Sequence, residues 1–428
     1  MFTRTDRLQE RISDQASLRG WLCSRQDRGK VIFLTLRDGH GTSQVVCSRD
    51  QLGDDQFCAC KSAPLESALS VTGLVSLPTG KPIAELLATS IIILPSEPGF
   101  PIGRKDHGPD FLMDQRHLWI RSAKQAAILR IRSSLEFACV SFLQRAGFHR
   151  FDAPLITPTS CEGTTELFKL DYFGNPAFLS QSAQLYSEAG IAALEKVYSL
   201  GPCFRAEKSI TRRHLTEFWG VEPEMAWVEA EENMQFQEQF IRGILEIVAA
   251  EREADLLLLE RNPSDLRFPS GCFEVVLYDD VIKRLAVKGR DLSWGSDLSV
   301  EDEEALSVDF DRPFFIYKYP VQCRAFYIEA DPKRPEVALS SDCLMPDGFG
   351  EIITGGQRAA DYDFLRQRLA EHGLDEATFN WYLDLRRFGS VPHSGFGMGI
   401  ERMLRWICGL HHIRETIPFA RTPQRCSP

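Results

Sequence analysis

A guanidinium, a carboxylate, an imidazole and an aromatic ring follow one another in the stretch GPCFRAEKSITRRHLTEFWGVEPE, Gly201 to Glu224. A guanidinium can grip a phosphate at two points, and an aromatic face can carry a purine ring. Arg205, Glu207, His214 and Phe218 are therefore a candidate nucleotide site, provided the chain brings them together. Apolar and charged residues alternate on both sides of a short polar, basic loop. That pattern predicts two strands joined by a long turn, with the four side chains as neighbours. The competing reading is a surface hairpin with solvated charges.

Two other segments carry chemistry. In GFGMGIERMLRWI, Gly395 to Ile407, glycines at Gly395, Gly397 and Gly399 strip one strand face of side chains, which permits close approach of a planar base. Glu401 and Arg402 then open a helix. In SSDCLMPDGFGEIITGG, Asp342 and Glu351 are carboxylates on neighbouring predicted strands and can hold Mg2+, a hard cation that takes oxygen ligands. The acidic run Glu301–Glu304 reads most simply as a solvated helix face.

The elements that must position these groups are legible in outline. The 428 residues suit two or three domains, and a composition of 43% hydrophobic and 25% charged residues is that of a globular protein with large cores. A net charge of -11 argues against a general nucleic-acid coat but leaves room for local basic patches such as Lys208, Arg212 and Arg213. Twelve cysteines without CxxC spacing suggest reduced thiols in a cytoplasmic protein rather than a zinc site. The N-terminus lacks a signal-peptide core, and no apolar run approaches the roughly 20 residues needed to span a bilayer, so no membrane partner is expected.

Short strands are expected from residue 17 to about 97, at Val31–Leu36, Thr42–Val46, Ala68–Val75 and Ile91–Leu94, with Asp38-Gly39 as a turn. They suggest a small barrel. A Pro/Gly-rich segment, Pro95 to Pro109, reads as a linker. Periodic apolar residues predict helices over Ser122–Gln144 and around Met234–Val248. Strand-like segments recur at Phe314–Lys318, Ala325–Glu329 and Val337–Ser341. The expected fold class is α+β: a β-barrel in residues 1–100, a connection over 101–125, and an antiparallel sheet flanked by helices in 126–428.

The Gly201–Glu224 stretch closely resembles motif 2 of the class II aminoacyl-tRNA synthetases. Its ending, Phe218-Trp219 followed by Glu222-Pro223-Glu224, is similar to the asparaginyl rather than the aspartyl branch. GFHRFDAPLI, Gly147 to Ile156, resembles motif 1, which implies a homodimer. Gly395 to Ile407 resembles motif 3. Gly20-Trp21-Leu22 and the Phe33, Asp38-Gly39, Gln44 pattern resemble the anticodon-binding OB-fold of the family.

The resemblance implies ATP as substrate, with Arg205 on the α-phosphate, Phe218 stacked on adenine, Glu207 near its amino group, and His214 and Arg402 at the γ-phosphate. It implies Mg2+ held by Glu351, with Asp342 assisting and Thr354 adding a hydroxyl. LSQSAQLYSE, Leu179 to Glu188, matches the amino-acid strip. There Glu188 would accept a hydrogen bond from the L-asparagine side-chain amide and repel aspartate. Arg387 would hold the amide oxygen, and Glu162, Ser182 and Gln184 the α-ammonium. The alternative for Glu188 is an ordinary exposed helix carboxylate.

For a tRNA specific for asparagine, Arg25, Arg28 and Lys30 would meet backbone phosphates, Gln44 would read a base edge, and Phe33 would stack on a base unless it is a barrel-core aromatic. Ala183, Gly220, Ala359-Ala360 and Ala420 depart from the usual asparaginyl pattern. The rival readings are an aspartyl or non-discriminating synthetase, a paralogue that passes the adenylate to another acceptor, and a catalytically dead RNA-binding module.

Overall fold

The computed structural model describes residues 2–80, 82–103, 105–161, 166–209 and 211–428. The chain divides into two compact units, Met1–Trp119 and Ile120–Pro428.

In the first unit, strands β1 (Gln15–Asp27), β2 (Val31–Arg37), β3 (Thr42–Ser48), β4 (Ala68–Ser76) and β5 (Glu85–Ile93) close into a barrel of order β1-β2-β3-β5-β4. Alternation with period two decides which side chains fill it. Ile32, Leu34 and Leu36 are fully buried with Val45 and Cys47. Phe33 lies between two of these core residues and is half-buried, so it belongs to the outer face. Register pairs Phe33 with Val46 and Thr35 with Gln44, which puts Phe33 and Gln44 on that same face. Arg25 pairs instead with Leu34, and its Nη1 donates to the Ala63 carbonyl at 2.6 Å.

The last strand begins at Glu85, before the expected Ile91. A helix at Arg49–Ser62 was not anticipated: its few apolar residues, Leu52, Phe57 and Cys60, are scattered among polar ones, yet all three join the barrel core. Residues 95–108 carry no helix or strand among the described residues.

In the second unit the helix Ala123–Arg145 is capped by Ser122, which accepts from the Gln125 N–H at 3.4 Å, and it ends just before Gly147. A capping box of Glu229 and Glu232 starts the helix Ala230–Glu251. Both lay their apolar stripes, among them Ile131, Leu135, Ile241 and Ile244, against Tyr198, Val221 and Met398 of the sheet. Burying each such aliphatic side chain is worth about 1.5–3 kcal/mol.

The strands of this unit are β6 (His149–Arg150), β7 (Ile156–Thr157), β8 (Lys169–Tyr172), β9 (Asn175–Leu179), β10 (Lys196–Phe204), β11 (Glu217–Ala226), β12 (Glu274–Leu277), β13 (Phe314–Tyr317), β14 (Ala330–Asp331), β15 (Arg334–Ala338), β16 (Ser340–Met345), β17 (Gly350–Gln357) and β18 (His393–Gly399). The main sheet has eight strands in the order β12-β13-β16-β17-β18-β11-β10-β6. It is antiparallel in the middle, as expected, but β12–β13 and β6–β10 at its edges are parallel, so the sheet is mixed.

Three expectations need correction. Ala325–Glu329 is not a strand; Ile328 makes only an isolated bridge to Arg358. The single strand expected at Val337–Ser341 is divided between β15 and β16. The Glu301–Glu304 run is not a solvated face: in the helix Val300–Ser307, Asp302 is spent on a capping box with Ser299, and Glu303 turns inward to an arginine.

Candidate active site

Strands β10 and β11 pair antiparallel from Lys196–Met225 to Phe204–Glu217, and the residues between Phe204 and Glu217 connect them. Arg205, Glu207 and His214 from this loop line a cavity of about 360 Å³ together with Phe218 of β11. Glu351 and Thr354 of β17 and Arg402, at the start of the helix Ile400–Ile407, line it too. That volume falls within the usual range for ligand sites. The Arg205 guanidinium carbon lies 5.5 Å from the Phe218 ring centroid, within cation–π range. Its backbone N–H donates to the Thr216 carbonyl at 3.0 Å. His214 is held by Thr211, with Oγ1 and Nδ1 2.5 Å apart. Burial, reinforced by Arg402, Arg213 and Arg205, pushes its pKa down to about 4, so the imidazole is neutral near pH 7.

Acids hold the arginines of this end in place. Arg402 Nη1 donates to Glu351 Oε1 at 2.6 Å. Burial alone would raise the Glu351 pKa, but Arg402, Arg213 and Arg205 outweigh it and hold the value at about 2. Glu303 Oε2 accepts from Arg213 Nη2 at 2.6 Å and from the Glu351 N–H at 2.9 Å. This one carboxylate therefore fixes both the hairpin loop and the start of β17. Burial, aided by Glu351, raises the Glu303 pKa to about 7 against the pull of Arg213. Gly350 has φ +69°, a conformation that favours glycine, and a Cβ there would sit 2.6 Å from Arg213 Nη1 and displace the end of that side chain.

Asp342 pairs in register with Thr354 but is not itself part of the cavity lining. Its Oδ2 accepts from Arg324 Nη2 at 2.5 Å, while its Oδ1 is buried without a hydrogen-bond partner. Burial raises its pKa, and the nearby charge of Glu351 adds to the rise. Asp342 and Glu351 supply the oxygen ligands a hard divalent cation takes, but each is already paired with an arginine, Arg324 and Arg402, so a cation there would share their oxygens with those guanidiniums.

The other end of the cavity is built differently from the sequence expectation. Phe218, Gly220, Glu222 and Glu224 follow at period two along β11, and all four line the cavity. Arg358 grips Glu224 at two points, Nε to Oε1 at 2.9 Å and Nη2 to Oε2 at 3.0 Å. Burial alone would lower the Arg358 pKa, but Glu224 more than offsets it and the guanidinium stays charged. A side chain on Gly395 would overlap the Glu224 carboxylate, while Gly397 and Gly399 face the cavity itself. Gly220 serves packing as well: a Cβ there would lie 3.1 Å from the buried Cys203 sulfur.

Ser182 and Gln184 line the cavity, and Ser182 Oγ accepts from the Gln184 N–H at 3.0 Å. Beside them the Ala183 N–H donates to Glu222 Oε2 at 2.7 Å. Glu162 lies outside the described residues.

Glu188 is not part of the lining. It is enclosed by Arg386 Nη2 at 2.6 Å, Tyr382 Oη at 2.7 Å, His393 Nε2 at 3.0 Å and Gln184 Nε2 at 3.1 Å. Burial would raise its pKa, but Arg386 and His393 hold it below the usual carboxylate range.

Arg387 does not reach the cavity either. It is exposed and bonds Asp384 and Tyr362. Helix phase explains this: residues one apart point about 100° apart, so Arg386 and Tyr382, four residues apart, face inward and Arg387 faces out. Glu188, Glu224 and His393 have ligand atoms within 4.8 Å of one another, but Arg386 and Arg358 already neutralise the two carboxylates.

Glu224, Arg358 and Glu303 were missed in the sequence reading. For Glu224 a signal existed in the period-two continuation from Phe218.

Residues 108–423 match the family described as tRNA synthetases class II (D, K and N), and residues 16–94 match the OB-fold nucleic acid binding domain. The chain is 47% identical over 412 residues to the asparagine–tRNA ligase of Pelotomaculum thermopropionicum, covering 96% of each. Its fold is similar to the crystal structure of asparaginyl-tRNA synthetase from Pyrococcus horikoshii complexed with asparaginyl-adenylate, with a TM-score of 0.95, 40% identity and all of both chains covered. The Entamoeba histolytica asparaginyl-tRNA synthetase in complex with asparaginyl-adenylate gives a TM-score of 0.90 at 30% identity over 97% of each chain.

Proposed function

The chain belongs to the class II tRNA synthetases of the D, K and N group, and from that premise we propose that it is an asparagine–tRNA ligase whose Glu224–Arg358 pair reads the amino-acid side chain. That pair carries the reading. A carboxamide offers an oxygen that accepts from Arg358 and an NH2 that donates to Glu224. The carboxylate of aspartate would face the Glu224 charge at close range and lose a donor besides. Glu188 supports the pocket from outside it, by fixing Gln184, Tyr382 and Arg386. Ser182, Gln184 and Glu222, which line the cavity together, would take the α-ammonium group.

Two steps follow. An oxygen of the asparagine α-carboxylate attacks the α-phosphorus of ATP, the bond to the β-phosphate bridge breaks, and pyrophosphate leaves. The nucleophile is already anionic, so no base is required; positioning and charge neutralisation lower the barrier. Arg205 holds the α-phosphate, Phe218 stacks on adenine with Glu207 near its amino group, and Arg402 meets the γ-phosphate. His214, neutral in the free site, contributes a hydrogen bond rather than a charge. Mg2+ would be held by Glu351 with Asp342 and Thr354, and would supply charge neutralisation along the phosphates. In the second step the 3′-hydroxyl of the terminal tRNA adenosine attacks the asparaginyl carbonyl, loses its proton, and AMP departs.

The outer barrel face with Phe33 and Gln44 is suited to anticodon bases. Arg25 is committed to the Ala63 carbonyl, so the exposed Arg28 and Lys30 are better placed for backbone phosphates.

Leu155, Ile156, Tyr172 and Phe173, the last 90% exposed, form apolar surface around the motif 1 segment and the β8–β9 hairpin and support a homodimer. No helix among the described residues is long and apolar enough to cross a membrane, and the twelve cysteines are unbridged, which suits the cytoplasm.

The test is charging of total tRNA with labelled amino acids. Asparagine should be attached in an ATP-dependent way to the tRNA that carries an asparagine anticodon. Charging with aspartate at an equal or greater rate would overturn the reading.

A further inference from the structure

Glu224 sits where strand pairing is interrupted. Along β11 and β18 the register runs through Gly220–Gly399 and Val221–Met398 and resumes at Glu224–Gly395. Pro223, in between, has no N–H to give to the ladder. The Glu224 carboxylate lies over Gly395, where any Cβ would overlap it.

Support comes from the start of the helix Ala230–Glu251. Asn233 Nδ2 donates to the Gly395 carbonyl at 3.1 Å, Ser394 Oγ donates to the Val228 carbonyl at 2.8 Å, and the Ala230 N–H donates to Gln357 Oε1 at 3.2 Å. Gly356 pairs with Gly395 and Gln357 with Ser394 in register, and Arg358 follows Gln357 directly. The start of one helix therefore holds the backbone beside both members of the Glu224–Arg358 pair.

Packing does not explain an asparagine at this place. Asparagine is a weak helix former. Asn233 is fully buried, and its Oδ1 makes no hydrogen bond among the described residues. Gln237, one turn on and on the same helix face, is also fully buried, with neither amide atom bonded. The nearby helix positions Met234, Phe240 and Ile241 belong to the apolar core. A buried polar group without a partner costs about 1–3 kcal/mol, so an apolar side chain of the same shape would be at least as stable. What it could not do is donate to the Gly395 carbonyl.

We propose that Asn233 is a positioning residue for amino-acid selection: by fixing Gly395 it sets where the Glu224 carboxylate stands beside Arg358 to meet a carboxamide NH2. The proposal rests on the reading of the Glu224–Arg358 pair above. Asn233 acts on the row of Glu224, Gly395 and Gly356; the row of Gly397 and Thr354, at the nucleotide end, lies two residues on. The effect should fall on the amino acid and spare ATP.

The test measures ATP–pyrophosphate exchange with asparagine and with aspartate by wild type, Asn233→Leu, Asn233→Ala and Gln237→Leu, with thermal melting of each. Asn233→Leu keeps the outline of the side chain and removes the donor. Its KM for asparagine should rise about fivefold, the range for one hydrogen bond. The preference for asparagine over aspartate in kcat/KM should shrink by a similar factor. The KM for ATP should stay at the wild-type value, and the protein should melt at or above the wild-type temperature. Asn233→Ala, which removes the donor and adds no bulk, should show the same kinetic pattern. Gln237→Leu clears an amide that bonds no strand carbonyl, and should leave both KM values unchanged.

The proposal fails if the Asn233 variants keep the wild-type KM for asparagine, if the KM for ATP rises in step with it, if the preference for asparagine is unmoved, or if Gln237→Leu reproduces the defect. A lower melting temperature with unchanged selection would also overturn it, by making Asn233 a structural residue only. A wild type that uses aspartate as well as asparagine would instead remove the reading of the pair itself.

Discussion

Arg358 and Glu224 meet in a buried two-point ion pair at the cavity wall, at 2.9 and 3.0 Å, across 134 residues of chain. The pair presents one donor group and one acceptor group to whatever enters. Glu224→Gln keeps the shape but removes the charge. Asparagine kcat/KM should fall about tenfold to a hundredfold, the worth of a hydrogen bond to a charged partner. Aspartate should lose less or gain, and exchange rates with the two amino acids measure the change. An unchanged ratio would take Glu224 out of side-chain recognition.

Glu188 should behave as a stability residue before it behaves as a selectivity residue. Removing it leaves Arg386 buried and unpaired, which costs about 3–5 kcal/mol. Denaturant unfolding of Glu188→Ala should show that loss.

The sign of the pH effect follows from the lowered folded pKa. The stabilisation is fully present above the unfolded carboxylate value of about 4.3, and it is lost as pH falls toward and through the folded value. Glu188→Gln should therefore flatten the acid limb of the stability profile. A limb as steep as that of wild type would contradict the ion-pair account.

Glu303 fixes Arg213 and the Glu351 N–H through a single oxygen. Glu303→Ala should lower kcat/KM for ATP at least tenfold while the affinity for tRNA stays near wild type. The pattern expected is a nucleotide-specific defect in a folded protein; equal loss for ATP and tRNA would point to general unfolding.

Phe33 is half-buried on the outer side of the barrel. Base–aromatic stacking is worth about 1–3 kcal/mol. Phe33→Ala should raise the tRNA KM by roughly fivefold or more and leave ATP–pyrophosphate exchange untouched. Raising salt should weaken tRNA binding in both proteins, since phosphate contacts from groups such as Arg28 and Lys30 would be left by the substitution.

Local periodicity made the nucleotide end of the site readable. Arg205, Glu207 and His214 stand in the loop that joins the paired strands β10 and β11, with Phe218 near the start of β11, so one short stretch of chain brings all four to the cavity. The amino-acid end depends on contacts that no local pattern encodes. Glu188 finds Arg386 at a separation of 198 residues, and Glu303 finds Arg213 at 90, so a charge run that looks solvated is buried. The choice between Arg386 and Arg387 rests on helix phase, and a shift of one residue reverses it. In the barrel, the Arg49–Ser62 helix escaped notice because its apolar positions are too sparse to show a period.

The most direct measurement is ATP–pyrophosphate exchange by the full-length protein with asparagine and with aspartate, without tRNA. A pocket lined by a charged carboxylate and guanidinium that together match a carboxamide predicts exchange with asparagine and, with aspartate, a kcat/KM lower by about 10⁴-fold or more. Comparable exchange with both amino acids, or faster exchange with aspartate, would contradict it.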